Sequence, residues 1–349
     1  ITSADQKHTQ KEKNMANIIS QEIRLKSHPV GMPEESDFEL VEVTIPEPKT
    51  GEILVRNIYM SVDPYMRGGM RSAKLSETLE GGCVGQVVKS NSDRFQVGDY
   101  VLGMLGWREF YVVAEEKATK IDPTIAPIQS FLGAVGMPGR TAYVGLLDIG
   151  QPEEGETVFV SAAAGAVGSI ACQIAKIKGC YVVGSAGSDK KVKWLLDKAC
   201  VDTAFNYKGV DNLEDELSRY CPRGIDIYFE NVGGKHLEAS ISLMNMFGRI
   251  ILCGMISQYN DTEPQANPKN LMSAIYKRLK LQGFIVSDHV DRVADFYADM
   301  RQWINEGVIK WEETIVEGLE NAPQAFIGLF RGENMGKMIV KVGLEEIEK

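Results

Sequence analysis

The stretch Thr157-Val158-Phe159-Val160-Ser161-Ala162-Ala163-Ala164-Gly165-Ala166-Val167-Gly168 reads as a strand, a bend of small residues and the first turn of a helix. Backbone N–H groups at such a helix start have no intrahelical partner and lie at the positive end of the dipole, so a pyrophosphate can settle there. Small residues are required because a larger side chain would hold the phosphate away from the backbone. The usual fingerprint opens on glycine. Here Ala163 stands in that place, and only Gly165 and Gly168 remain.

The chain downstream supplies the context this motif needs. Val167, Ile170, Ala171, Ile174 and Ile177 fall at helical spacing and predict a helix with a buried stripe. Short apolar runs then recur at Tyr181–Val183, Thr203–Tyr207, Ile225–Phe229, Arg249–Cys253 and Leu281–Val286. Between them lie helix-like segments at Asp189–Lys198, Asn212–Tyr220 and Gly234–Met246. Strands alternating with helices predict a parallel sheet covered on both faces. Six strands in this order fit a doubly wound α/β dinucleotide fold with its ligand at the carboxyl edge. The competing reading is the same fold holding some other ligand.

An NAD site places Asp or Glu at the end of the second strand to bond the ribose 2′-hydroxyl. Here that strand runs out as Val183-Gly184-Ser185-Ala186-Gly187-Ser188, and the first acid, Asp189, is followed by Lys190 and Lys191. Lysines at a helix start oppose the dipole, a small local cost, whereas a 2′-phosphate would welcome them. The pattern predicts NADPH over NADH. The alternative for the two lysines is a solvated helix start.

Composition sets outer bounds. The 349 residues suffice for two domains, and 25% charged with 44% hydrophobic residues is ordinary for a globular protein. A net charge of −10 argues against duplex nucleic acid or an anionic membrane as main partner. No apolar run approaches the roughly 20 residues that span a bilayer. Ile1 to Asn14 are polar and lack a signal-peptide core, so residues 1–16 read as a disordered extension or cloning remnant, and a cytoplasmic location is expected. The six cysteines (83, 172, 180, 200, 221 and 253) contain no C-x-x-C pair, and the four histidines show no ligand spacing. No metal site is expected.

The chain before the bend has another texture. Val41–Ile45, Glu52–Met60, Val84–Lys89, Asp99–Leu102 and Phe110–Val113 alternate or run apolar between turns such as Pro46–Gly51 and Gln96–Asp99. This predicts a mainly β unit, a partly open barrel. Helical patterns return at Phe131–Gly150. After the sheet come a helix (Asp291–Gly307), a short strand (Trp311–Val316), a helix (Asn321–Arg331) and a strand (Gly336–Val342). These last pieces are expected to fold back on the barrel, because a lone strand needs a sheet to join.

From about Ile18 to Val342 the chain resembles the medium-chain dehydrogenase/reductase superfamily. More narrowly it is similar to the zinc-free NADPH-dependent alkenal/one oxidoreductases, which include prostaglandin reductases and bacterial curcumin reductase. The resemblance rests on Ser61-Val62-Asp63-Pro64-Tyr65-Met66-Arg67-Gly68, on Gly136–Tyr143, Ala162–Gly168 and Phe205-Asn206-Tyr207-Lys208, and on Glu230–Gly234, Cys253–Asn260 and Asn334–Lys337. Gly318–Leu329 looks particularly like the curcumin reductase branch. The resemblance implies a Rossmann doubly wound parallel sheet plus a GroES-like β-barrel catalytic domain. The implied division is a catalytic domain at 17–135, an NADPH-binding domain at 136–307, and a return to the catalytic domain at 308–349. Zinc-dependent relatives carry Gly-His-Glu near the third barrel strand, where this chain reads Gly81-Gly82-Cys83-Val84-Gly85 without the histidine. That departure implies zinc-independent reduction of a carbon–carbon double bond.

Carried over by position, the resemblance puts the phosphate loop on Gly165, Ala166, Val167 and Gly168, and the 2′-phosphate contacts on Lys191 and Tyr207. Asn231, the segment Cys253, Gly254, Ile256, Ser257 and Tyr259, the strand end Phe284-Ile285-Val286, and Asn334 would complete the cofactor site. An enone is electron-poor at its β-carbon; hydride added there leaves negative charge on the carbonyl oxygen, which needs a hydrogen-bond donor. Tyr259 is the leading donor and Tyr65 the second, since a phenol keeps its proton near pH 7. The alternative for Tyr65 is a packing tyrosine, and for Tyr207 a half-exposed strand residue. Met104, Leu105 and Trp107, with Ile285, would wall the substrate pocket, with ordinary core as the competing reading for Trp107 and Phe110. A small-molecule enone and a second copy of the chain, through the edge near Leu281–Val286, are the expected partners. The rival functions are an NADPH quinone oxidoreductase and a non-catalytic NADPH-binding protein.

Overall fold

Strand β1 (Ile18–Leu25) pairs antiparallel with β2 (Phe38–Ile45) in a hairpin that the alternation of polar and apolar residues does not announce. Ser20 and Glu22 on one face and Ile23 and Leu25 on the other are all buried. Glu22 is tolerated inside because Arg24 pairs with it at 2.7 Å. The computed structural model describes residues 18–263 and 268–345, so the expected extension at 1–16 lies outside the described residues.

The next strands are β3 (Glu52–Ser61), β4 (Cys83–Ser90), β5 (Tyr100–Gly103), β6 (Phe110–Ala114) and β7 (Thr119–Lys120). Strand β3 pairs with both β4 and β6, and β4 continues through β5 to β7. Gly85 is required where β3 and β4 cross closely: a Cβ there would meet Arg56 O at 2.6 Å. Ile53, Val55, Met60, Val87 and Val101 form the core of this unit.

Strands β8 (Thr157–Val160), β9 (Tyr181–Ala186), β10 (Thr203–Asn206), β11 (Ile225–Glu230), β12 (Met244–Leu252) and β13 (Lys280–Gly283) form a parallel sheet in the order β10-β9-β8-β11-β12-β13. The order reverses at β8, which puts a crevice at the carboxyl ends of β8 and β11. Helix Gly168–Ile177 packs its Ile170, Ala171 and Ile174 against the sheet. Two elements depart from expectation. Strand β12 begins at Met244, which shortens the preceding helix to Gly234–Leu243. The helical patterns expected over Phe131–Gly150 resolve into three pieces: a 3-10 turn (Ile128–Leu132), an α-helix (Met137–Val144) and a wider π turn (Gly145–Gly150). Gly136 is folded back so tightly that a Cβ would lie 1.9 Å from Phe131 O, which an uninterrupted helix would not allow.

The chain then returns. Strand β14 (Glu313–Glu317) pairs with β15 (Lys337–Lys341), and β15 pairs antiparallel with β3. The resulting strand path, β14-β15-β3-β4-β5-β7 with β6 beside β3, is open rather than a closed barrel. Lys337 Nζ binds Asp63 Oδ1 at 2.9 Å and Val62 O at 2.7 Å in the interior. Removing one partner of such a buried pair costs about 3–5 kcal/mol. No helix among the described residues is long and apolar enough to cross a membrane.

Candidate functional site

The bend after β8 is held from three sides. Ala162 adopts a left-handed backbone (φ 47°), Gly165 N donates to Ala162 O at 2.9 Å, and Ala163 N donates to Ser185 O at 2.9 Å, tying the bend to β9. Ala163 is accommodated where glycine is usual because β9 gives up the space: a Cβ on Gly184 would lie 2.9 Å from the Ala163 methyl. Gly168 is indispensable for packing, since its Cβ would sit 2.4 Å from Ala162 O and 2.9 Å from Ala163 Cα. The N–H groups of Ala166, Val167 and Gly168 make no hydrogen bond among the described residues. This donor set at a helix start fits a pyrophosphate.

At the end of β9, Gly187 leaves room for the Tyr207 hydroxyl and the Lys208 side chain, 3.2 and 3.3 Å from where a Cβ would stand. Lys191 reaches the same neighbourhood from the following helix and donates to Gly332 O at 2.8 Å. Burial, and then the Lys208 ammonium, lower its pKa from the ordinary lysine value. Two cations that repel each other beside a phenol suit a phosphate dianion. Asp189, the nearest acid, is occupied by Asn206 Nδ2 at 2.9 Å. Lys208, which is not among the expected residues, lies there as well, because the 3-10 turn at Tyr207–Gly209 brings both side chains near Gly187. Tyr207 also packs edge-on against buried His236, ring centroids 4.9 Å apart, and burial pushes that imidazole down to about 4, so it is neutral at pH 7.

The other wall grows from β11 and β12. Asn231 donates from Nδ2 to Ser161 O at 2.8 Å and from N to Ser161 Oγ at 2.9 Å. Cys253 N and Gly254 N both donate to Glu230 O at 3.0 Å, and Ile256 N and Ser257 N to Asn231 O and Val232 O at 3.2 and 3.0 Å. The Cys253–Ser257 segment is thereby stitched to the Asn231 loop. The Cys253 thiol, pushed up to about 12 by burial and then by Glu230, is no nucleophile at neutral pH. Tyr259 Oη accepts from Met255 N at 3.3 Å, which fixes the ring and leaves its own O–H available. Burial raises its pKa above the ordinary phenol value.

Tyr65 begins the short helix Met66–Gly69 and is 46% exposed; desolvation, then Asp63 and Glu80, raise its pKa. Two arginines bring its segment to that of Tyr259. Arg67 Nε donates to Asn260 Oδ1 at 3.0 Å and Arg71 to Tyr259 O at 3.3 Å. From the returning chain, Gly336 N donates to Ala164 O at 2.9 Å, and Asn334 Nδ2 braces this segment through Gly336 O at 2.7 Å.

The remaining expected residues divide. Phe284 packs over Gly145 and into the core, while Ile285 is 64% exposed and Val286 opens a 3-10 turn; all three lie beyond the end of β13, which stops at Gly283. Met104 and Leu105 border a cavity of about 340 Å³ that is also lined by Glu80 and Tyr111 but by neither Tyr65 nor Tyr259. Trp107 is a correction. It is 0% exposed, stacked on Phe38 at 5.9 Å and edge-on to Phe326 at 6.1 Å, so it belongs to the barrel core and not to a substrate wall.

Comparison with known proteins now decides the family. Residues 21–121 match the family described as the N-terminal domain of oxidoreductase, and residues 166–306 the family described as zinc-binding dehydrogenase. Prostaglandin reductase 1 of Bos taurus is 49% identical, over 91% of this chain and 97% of that protein. The NADPH-dependent curcumin reductase of Escherichia coli K12 is 41% identical, over 95% of this chain and 98% of that protein. The crystal structure of CurA from Vibrio vulnificus in complex with NADPH superposes with a TM-score of 0.88 at 44% identity, covering 93% of this chain and 99% of that one. The chain belongs to the alkenal/one oxidoreductases of the medium-chain dehydrogenase/reductase superfamily. Within this reductase Cys83 begins β4. It is buried beside Tyr111, 3.7 Å away, and its thiol is pushed up to about 11 by burial. No cluster of three or more metal-capable side chains occurs among the described residues.

Proposed function

We propose that this reductase reduces the carbon–carbon double bond of α,β-unsaturated ketones and aldehydes, curcumin-like enones and alkenals among them, with NADPH and without zinc. The observation that carries the reading is the bend with unbonded N–H groups, tied to a strand whose end offers Lys191, Lys208 and Tyr207 and whose first acid, Asp189, is hydrogen-bonded to Asn206. NADPH bound there would supply hydride for the β-carbon. The chain's own part is to bind, to orient and to stabilise charge. Gly165, Ala166, Val167 and Gly168 would hold the pyrophosphate, and Lys191, Lys208 and Tyr207 the 2′-phosphate. Asn231, the Cys253–Ser257 segment, Phe284–Val286 and Asn334 would line the rest. Tyr259, with Tyr65 second, would donate to the carbonyl oxygen as negative charge develops on it. We divide the chain at 135 and 307 into a GroES-like catalytic part, the nucleotide-binding part and its return.

Absorbance at 340 nm with an enone series, run with NADPH and NADH side by side and with EDTA, tests this. Enone-dependent oxidation of NADPH, insensitive to EDTA, is expected. The Lys191→Met variant should raise KM for NADPH about tenfold, the worth of one charge-assisted hydrogen bond, and leave KM for NADH nearly unchanged. No enone-dependent absorbance change, or activity abolished by the chelator, would sink the reading.

A homodimer is the second part of the proposal. Strand β13 ends the parallel sheet, and Met246, Phe247, Met272, Ile275 and Tyr276 are exposed nearby. An unpaired sheet edge beside a large apolar patch suits a second copy that extends the sheet. Sedimentation at micromolar concentration should give the dimer mass; a monomer would remove this part.

A further inference from the structure

Glu230 ends β11 inside the protein at 0% exposure, and neither lysine nor arginine pairs with it among the described residues. Its two oxygens are used unequally. Oε1 accepts from Val232 N at 2.6 Å, Gly233 N at 2.9 Å and Ser161 Oγ at 3.1 Å, whereas Oε2 is buried with no partner. Ser161 Oγ in turn accepts from Asn231 N at 2.9 Å and from the Tyr228 hydroxyl at 3.1 Å. Burying a carboxyl without a cation is costly, and desolvation raises its pKa accordingly. Such a group persists at a cost to stability unless it does something a hydrophobic residue could not.

We propose that Glu230 is a positioning residue for nucleotide binding: through Oε1 and Ser161 it locks the loop after β11 onto the bend after β8, so that both walls of the crevice keep one spacing. The inference rests on the nucleotide site proposed above. What matters is the acceptor at Oε1 and not a negative charge. Two loop N–H groups and the Ser161 hydroxyl converge on that single oxygen, while the second oxygen is buried without a hydrogen bond. Glutamine can present the same acceptor in the same place, with its amide nitrogen where Oε2 now lies. Methionine fills a similar volume and presents none.

Isothermal titration of the full-length protein with NADP+ reads this directly, without turnover. The expected result is a dissociation constant raised about tenfold in Glu230→Met and within about threefold of the unmodified protein in Glu230→Gln. Should Glu230→Met fail to fold, Ser161→Ala removes the hydroxyl that joins the two loops and is expected to raise the constant about threefold to fivefold. The proposal is overturned if Glu230→Gln binds as weakly as Glu230→Met, or if Glu230→Met or Ser161→Ala binds like the unmodified protein. Failure of the unmodified protein to bind NADP+ would instead sink the nucleotide reading itself.

Discussion

Gly168→Ala is expected to weaken NADPH binding about tenfold, read as the dissociation constant from a fluorescence titration. The added Cβ would stand 2.4 Å from Ala162 O and 2.9 Å from Ala163 Cα, both backbone atoms and neither able to rotate away. The helix start must retreat from the bend, or the bend must open. Overpacking of this kind costs about 1–3 kcal/mol, and 1.4 kcal/mol is a factor of ten. Ala162 is already in a left-handed conformation (φ 47°), so the bend has little slack to give. Gly165→Ala is the internal comparison: its nearest contact, Ala162 O at 3.2 Å, is the only one within reach, and the loss should be smaller. Equal affinity for Gly168→Ala and the unmodified protein would mean that the bend does not hold the nucleotide.

Tyr259→Phe is expected to lower turnover about a hundredfold, the scale for losing one donor to a developing oxyanion, with KM for NADPH within about twofold. The phenol oxygen accepts from Met255 N at 3.3 Å, so its single proton is free to be donated. Because burial raises the phenol pKa, the donor stays protonated from neutral pH to above about 10, and its contribution is lost only as pH climbs through the raised value. Turnover should therefore show no limb from this group below the ordinary phenol range. The opposite split, with turnover kept and KM for NADPH raised, would make Tyr259 a cofactor contact alone.

How much of this was legible in the sequence depends on whether a signal was local. The parallel sheet was, because β8, β9 and β11 are buried on both faces and read as near-continuous apolar runs around a bend of alanines and glycines. The lysines after β9 were equally plain. What stayed hidden depends on distant partners. Strand β1 buries Ser20 and Glu22 on the face opposite Ile23 and Leu25, so no polar-apolar alternation marks it; Arg24 and Arg108 explain how Glu22 is accommodated. Trp107 looked like a ligand wall because an aromatic after a strand suits either role, and its stacking on Phe38 and edge-on contact with Phe326, from remote parts of the chain, decided for the core. The exchange of space between Ala163 and Gly184 shows why a fingerprint can lose its first glycine when a neighbouring strand supplies one. Glu230 stood in the sequence only as part of the Glu230–Gly234 stretch that carries the resemblance; its burial gave no signal, since a carboxylate at the end of an apolar strand usually points to solvent.

The hydrogen bond from Gly336 N to Ala164 O closes a loop of chain between a bend near the middle and a strand near the carboxyl end. Contacts so far apart form late, because the entropy of closing the loop must be met before they reward it. During synthesis β8 to β13 emerge from the ribosome well before β15, so the bend after β8 waits for this contact until β15 has been made.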